Sequence, residues 1–220
     1  MLSIQRLINF PVGPKRALRA TDSAFLNNPH FISKRARDDA DPSCNDTITP
    51  QYLADLYRYS DYTPLFAPSN KLGVLGFNHQ VAQKSDVAAF LAEYAPGKTD
   101  ETSRCIVALG GTCLQRGKPG SEIVKSYETN LDVEYAMSAS YPSNTILYQF
   151  GGALEINWLN WLLAQNDLPQ TLSISFGISE KAYSKREAKK LCNRYAQLGT
   201  RGVSVLVASG DDGVGLEDDE

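Results

Sequence analysis

A chain of 220 residues, 42% hydrophobic and 21% charged, holds enough material for one globular domain, or a small domain with an appendage, and is not composed like a disordered protein. Its net charge of −3 leaves no electrostatic footprint for a nucleic acid, and no apolar run approaches the length of a membrane span. The opening residues, Met1-Leu2-Ser3-Ile4-Gln5-Arg6, lack the sustained apolar core and small-residue cleavage site of a signal peptide.

Residues 1–43 read differently from the rest. They carry prolines at 11, 14, 29 and 42 and a net basic charge on a chain that is acidic overall. Lys34-Arg35-Ala36-Arg37 followed by Asp38-Asp39 reads as an exposed linker with a processing site, the plainer alternative being a solvated charge run. Asn45-Asp46-Thr47 is a glycosylation acceptor, a triplet that also arises by chance.

From Thr49 the text becomes regular. Thr49 as cap and Pro50 in the first turn open a helix over 51–59. A short buried strand follows over 72–77. A helix over 85–94, with Val87, Phe90, Leu91 and Tyr94 on one side, stops at Pro96-Gly97. A strand over 105–109 leads into a loop carrying Gly110-Gly111 and Gly117-Lys118-Pro119-Gly120. Next come a helix over 126–140, a strand over 145–150, and a helix over 153–165 whose apolar stripe is Leu154, Trp158, Trp161 and Leu162. A strand over 172–177 precedes a helix over 184–198, capped by Ser184 and closed by Gly199. The run 203–208 is almost wholly apolar and reads as a strand buried on both faces. This alternation with short links predicts an α/β fold with a mostly parallel, doubly covered sheet and right-handed crossovers.

The segment Ser126-Tyr127-Glu128-Thr129-Asn130-Leu131-Asp132 places two carboxylates, Glu128 and Asp132, one helical turn apart on one face. At about 100° per residue from Tyr127, Glu128 falls near 100° and Asp132 near 140°, beside Tyr135, Ala139 and Ala136. Asn130 and Glu134 lie across the helix and read as its solvent side. The acids then point into protein or a cleft, whereas by spacing alone two surface acids on an amphipathic helix would do. Ligands of such sheets bind beyond the carboxyl ends of the strands. Ser175-Phe176-Gly177 ends one strand there, and Ser209-Gly210-Asp211-Asp212-Gly213 ends the next, an ordinary turn being the alternative for the latter.

Four cysteines, Cys44, Cys105, Cys113 and Cys192, allow three connectivities if all are paired. No Cys-x-x-Cys or Cys/His cluster points to a metal, and His30 and His79 give a histidine triad little to draw on.

Three of these segments, in this order and spacing, resemble the sedolisin family, serine-carboxyl peptidases with a subtilisin-like fold, and in particular its fungal tripeptidyl-peptidase-like branch. Glu128-Thr129-Asn130-Leu131-Asp132-Val133 with Tyr135 looks like the family's Glu-x-x-x-Asp segment. Ser173-Ile174-Ser175-Phe176-Gly177 is similar to its Ser-x-Ser-Tyr-Gly strand, with Phe176 replacing the usual Tyr. Ala208-Ser209-Gly210-Asp211-Asp212-Gly213 looks like its Ala-Ser-Gly-Asp-x-Gly turn, and Ile48-Thr49-Pro50 with Leu53, Leu56 and Tyr57 resembles the start of the mature catalytic domain.

The resemblance covers residues 44–215. It implies the N-terminal portion of a catalytic domain over 44–220, preceded by a propeptide remnant or linker over 1–43, with the sheet cut after about two thirds of its strands. It implies a nucleophilic serine activated by Glu128, with Asp132 orienting Glu128 and Asp211, protonated in acid, donating to the oxyanion. Ser175, Phe176 and Gly177 would pair with the substrate backbone. A carboxylate base stays ionised in acid where an imidazole would be protonated. Peptide or protein substrates and the propeptide are the implied partners, for a monomer that is secreted or, alternatively, vacuolar or lysosomal.

Departures from the family pattern matter as much. Its nucleophile lies in a downstream Gly-Thr-Ser segment that this sequence does not contain, so the chain alone is expected to be inactive and, cut beside a central strand, prone to aggregate. Gly111-Thr112-Cys113 reads as a structural loop. The family's calcium ligands also lie downstream of the matching region. Two other readings compete: a peptide-binding α/β protein that kept the groove without turnover, and a nucleotide- or small-molecule-binding domain using the glycine loops, for which no phosphate-loop spacing is present.

Overall fold

Residues 47–62, 65, 69–78, 80–98, 103–113, 115, 127–178 and 180–210 are described in the computed structural model. The processing site and boundary near residue 43, the acceptor Asn45, both histidines, the loop containing Gly117 and Gly120, and the turn beginning at Asp211 lie outside the described residues. The described residues fall into two compact units, one over 47–62 and a larger one over 65–210.

In the first unit, α1 (Pro50–Leu56) starts as its sequence dictates. The Thr49 side chain accepts the Tyr52 N–H at 3.1 Å, and Pro50 occupies a position whose N–H would have no helical partner. Arg58 takes a left-handed φ of 58°, which ends the helix before the expected Tyr59.

The second unit alternates strand and helix: β1 (Lys71–Gly76), α2 (Lys84–Tyr94), β2 (Ser103–Ala108), α3 (Tyr127–Ser140), β3 (Asn144–Phe150), α4 (Glu155–Leu163), β4 (Thr171–Ile174) and, after a 3-10 turn at Glu180–Ala182, α5 (Lys185–Thr200) and β5 (Ser204–Val207). The strands form one sheet in the order β2-β3-β1-β4-β5, every pair parallel. The α/β class and parallel sheet expected from the alternation are therefore present. Parallel strands bury both faces, and two cores do so here. On one face Leu75, Ile146, Tyr148, Phe150, Leu172 and Ile174 meet Trp158, Leu159 and Leu162 of α4 and Leu191, Tyr195 and Leu198 of α5. On the other, Val74 and Leu147 meet Val87 and Leu91 of α2 and Val133 and Met137 of α3.

The loop after β2 is pinned tightly. A disulfide joins Cys105 to Cys113, and Gly111 approaches β3 so closely that a Cβ there would fall 2.0 Å from the Gln149 carbonyl oxygen. Gly111-Thr112-Cys113 thus runs through a constrained loop, on the side of the sheet where only glycine fits.

Three expectations need correction. The run 203–208 is not buried on both faces: among the described residues β5 is an edge strand, Val205 and Val207 pack on the α4/α5 core, and Leu206 on the opposite face is 58% exposed. Gly199 does not close α5, which runs to Thr200; Gly202, at φ 80°, is the left-handed residue that follows it. Leu154 is not in the stripe of α4. It stands at the N-cap, exposed, and Leu159 takes the buried place.

Candidate active site

The C-terminal ends of the strands are in register, Gly76 beside Gln149 and Ile174 beside Val207. The chain therefore leaves β1 at Phe77 and β4 at Ser175 at the same end of the sheet. Phe77 packs on Phe176 at 5.1 Å and on Phe150 at 5.8 Å between ring centroids. That apolar contact fixes the backbone of Ser175 and Phe176 beside the end of β1. Asn78 follows with a φ of 55°, a left-handed conformation that asparagine tolerates.

Helix α3 lies over this end. Its buried line is Thr129, Val133 and Met137, and its open side carries Tyr127, Glu128 and Leu131. Asp132 sits at the boundary between the two. One cleft is lined by Glu128, Thr129 and Asp132 from α3, Leu75 to Asn78 and Gln80 after β1, and Ser175 and Phe176 after β4. Its volume is about 50 Å³, room for a few water molecules and no more. A peptide would have to lie across it.

The two sequence-predicted carboxylates thus share a cleft with two of the three predicted strand residues; Gly177 is exposed next to them. Asp132 is held by the hydroxyl of Ser175, which donates to Oδ1 at 2.6 Å. Burial pushes the Asp132 carboxyl up from 3.8 to about 6; the Ser175 hydrogen bond works against this and the charge of Glu128 adds to it. The Ser175 hydroxyl is thus engaged by Asp132, which leaves the expected pairing of its backbone with substrate untouched. The chain leaves β5 through Ala208, Ser209 and Gly210, the last at φ 95°, and Asp211 lies outside the described residues.

Asn130 and Glu134 do not form a solvent side. Asn130 reaches the start of α2, accepting the Gln83 N–H at 2.8 Å and donating to Asp86 at 3.2 Å. Glu134 is half-buried, and burial first, then the charge of Asp86, pushes its carboxyl from 4.5 to about 7. Sequence reasoning also missed Thr129, Asn78 and Gln80 as cleft residues. A signal existed for the last two, since they directly follow a buried parallel strand, where ligand loops sit.

No family model matches the chain. It is 35% identical over 196 residues to the probable tripeptidyl-peptidase SED3 of Arthroderma benhamiae, and 32% identical over 195 residues to the tripeptidyl-peptidase SED4 of Arthroderma otae. Each match covers 80% of this chain and 32% of the relative, so the chain spans about a third of the length of these relatives. Among solved structures, Pseudomonas sedolisin, a serine-carboxyl proteinase complexed with two molecules of pseudo-iodotyrostatin, aligns at a TM-score of 0.46. The alignment has 17% identity and covers 68% of this chain and 42% of that one.

Proposed function

We propose that this chain, which is related in sequence to sedolisin-type tripeptidyl-peptidases over about a third of their length, carries the acid–base portion of a serine-carboxyl peptidase site working on peptide bonds in acid. One observation carries the reading: Glu128 and Asp132 line a single cleft with Ser175 and Phe176 at the carboxyl ends of the strands. In it Glu128 is the general base and Asp132 orients it. Below about pH 6 Asp132 holds a proton, so it can accept from Ser175 and still donate to a neighbouring carboxylate. Asp211 would be the oxyanion donor, and Ser175, Phe176 and Gly177 would pair with the substrate backbone.

The nucleophilic serine is assigned to a Gly-Thr-Ser segment absent from this sequence. The chain alone is therefore expected to bind peptides and not to cut them. Among the described residues no group of three or more His, Cys, Asp or Glu could hold a metal ion, and no calcium site is proposed on them. Among those residues, too, no helix is long and apolar enough to cross a membrane. The Cys105–Cys113 disulfide supports an oxidising compartment, hence secretion or delivery to a vacuole.

The test is a titration of the 220-residue chain with a peptide bearing a free N-terminus at about pH 4, with product followed by chromatography. Binding that weakens about tenfold in Glu128→Gln, with no product, is the expected result. Binding indifferent to Glu128→Gln would favour a peptide-binding protein without turnover. Product formation abolished by Glu128→Ala would overturn the expected inactivity, and no binding at all would overturn the reading.

A further inference from the structure

We propose that Asn130 is a positioning residue: its amide ties the first turns of α3 to the amino end of α2 and so sets the rotation at which α3 presents Glu128 and Asp132 to the cleft. The inference deepens the peptidase reading and rests on it insofar as those two acids form one site.

The chemistry of the tie is specific to an amide. Gln83 is the N-cap of α2 and makes no side-chain cap of its own, and Asp86 is the acid in the first turn of that helix. In a self-contained capping box, an acid in the first turn reaches back to the cap N–H. Here the neighbouring helix takes the cap N–H in place of that acid, and bonds to the acid itself. Asn130 Oδ1 accepts the Gln83 N–H at 2.8 Å, and Asn130 Nδ2 donates to Asp86 Oδ2 at 3.2 Å. A donor and an acceptor on two separate atoms of one short stem are needed, which an ionised Asp (acceptors only), a Ser (one atom for both) or a Leu (neither) does not supply. The anchored end of α2 is itself braced by Gln115, which accepts the Lys84 N–H at 2.7 Å and donates to the Ala82 carbonyl at 3.1 Å.

Geometry gives this tie leverage. Asn130 is two residues from Glu128 and two from Asp132, so it lies about 200° around the helix from each. Asp132 is fastened on its own side to Ser175 at 2.6 Å, and Asn130 fastens the far side. Between the two, α3 meets the sheet through Val133 and Met137 packed on Val74 and Leu147. Apolar contact is non-directional and resists a roll of the helix weakly. Hydrogen bonds are directional and resist it strongly. A roll of about 20° moves a carboxyl some 6 Å from the helix axis by about 2 Å, enough to part Asp132 from Ser175.

Carboxyl carbon NMR of the full chain reads this without any peptide. In Asn130→Ala the Asp132 titration midpoint, about 6 in the native chain, should fall toward the ordinary range by about half a unit or more, because burial is what holds it up. Ser175→Ala should move that midpoint in the native background and not in the Asn130→Ala background. Asn130→Leu, uncharged and of similar size, takes the place of the alanine variant if the latter does not fold. A lower melting temperature with an unmoved Asp132 midpoint would show a merely structural amide and overturn the proposal. A moved midpoint in a chain that binds no peptide would sink the peptidase reading and leave the role of Asn130 standing.

Discussion

Gln149 is fully buried, and among the described residues neither atom of its side-chain amide has a hydrogen-bond partner. Its Oε1 lies against Gly76, where an added Cβ would come within 2.6 Å of it and 3.2 Å of the Thr129 methyl. A buried amide without partners costs about 1–3 kcal/mol. Gln149→Met, which keeps the length and removes both polar atoms, is therefore expected to stabilise the chain by about 1 kcal/mol in a denaturant titration. A loss of stability would show that the amide is paired in solution. The contrast with Asn130, an amide with both atoms used, marks what the sequence reveals at this scale. The four-residue spacing of Glu128 and Asp132 was legible because a helix dictates it. The roles of Asn130, Glu134 and Gln149 were not, because a wheel gives an angle and says nothing of the neighbour that meets it.

At the scale of elements, α4 and α5 are joined by one half-buried carboxylate. Tyr183 Oη donates to Glu155 at 2.8 Å, and Tyr195 Oη donates to its other oxygen. Burial first, and then the Glu155 carboxylate, push both tyrosines above their ordinary range, so both remain donors. Glu155 sits in the first turn of α4, where a negative charge is favoured by the helix dipole. Glu155→Ala would leave two tyrosine hydroxyls unpaired, one of them on the buried Tyr195. The expected loss is about 2–4 kcal/mol, read by thermal unfolding, with Glu155→Gln intermediate because it still accepts one bond. Helix starts were readable in the sequence: Ser184 forms the capping box with Glu187 that its residue types announce. Helix ends were less so. Both Gly199 and Gly202 are compatible with a C-terminus, and which one takes the left-handed turn depends on where Leu198 must sit in the core.

For the whole molecule, acid is the favourable condition. Asp132 is raised from 3.8 to about 6 and Glu134 from 4.5 to about 7. Their native forms hold protons that the unfolded chain has released, so these groups make stability fall as pH rises from about 4 to 7. Their contribution is fully present below the unfolded values and lost above the native ones. After allowance for solvent screening, each is worth about 1 kcal/mol. Asp167, beside Lys71, and Glu187, bonded to Ser184, are shifted downward and act in the opposite sense, losing their contribution as pH falls below about 4. Melting temperature should therefore peak near pH 4 and decline toward neutrality. Glu134→Gln should flatten the decline, and an unchanged slope in that variant would contradict the assignment.

By itself the sequence determined the order and type of the elements, the parallel sheet and the pairing of Glu128 with Asp132, because hydrophobic period, caps and i,i+4 spacing are local quantities carried by neighbouring residues. Only the tertiary structure decided that Ser175 meets Asp132, that Asn130 grips α2 and that, among the described residues, β5 stands at the edge of the sheet with Leu206 exposed. Those facts depend on which segments, 43 residues apart for Ser175 and Asp132 and 44 for Asn130 and Asp86, are brought together by burial of apolar surface, a force without direction that leaves no periodic trace in the text.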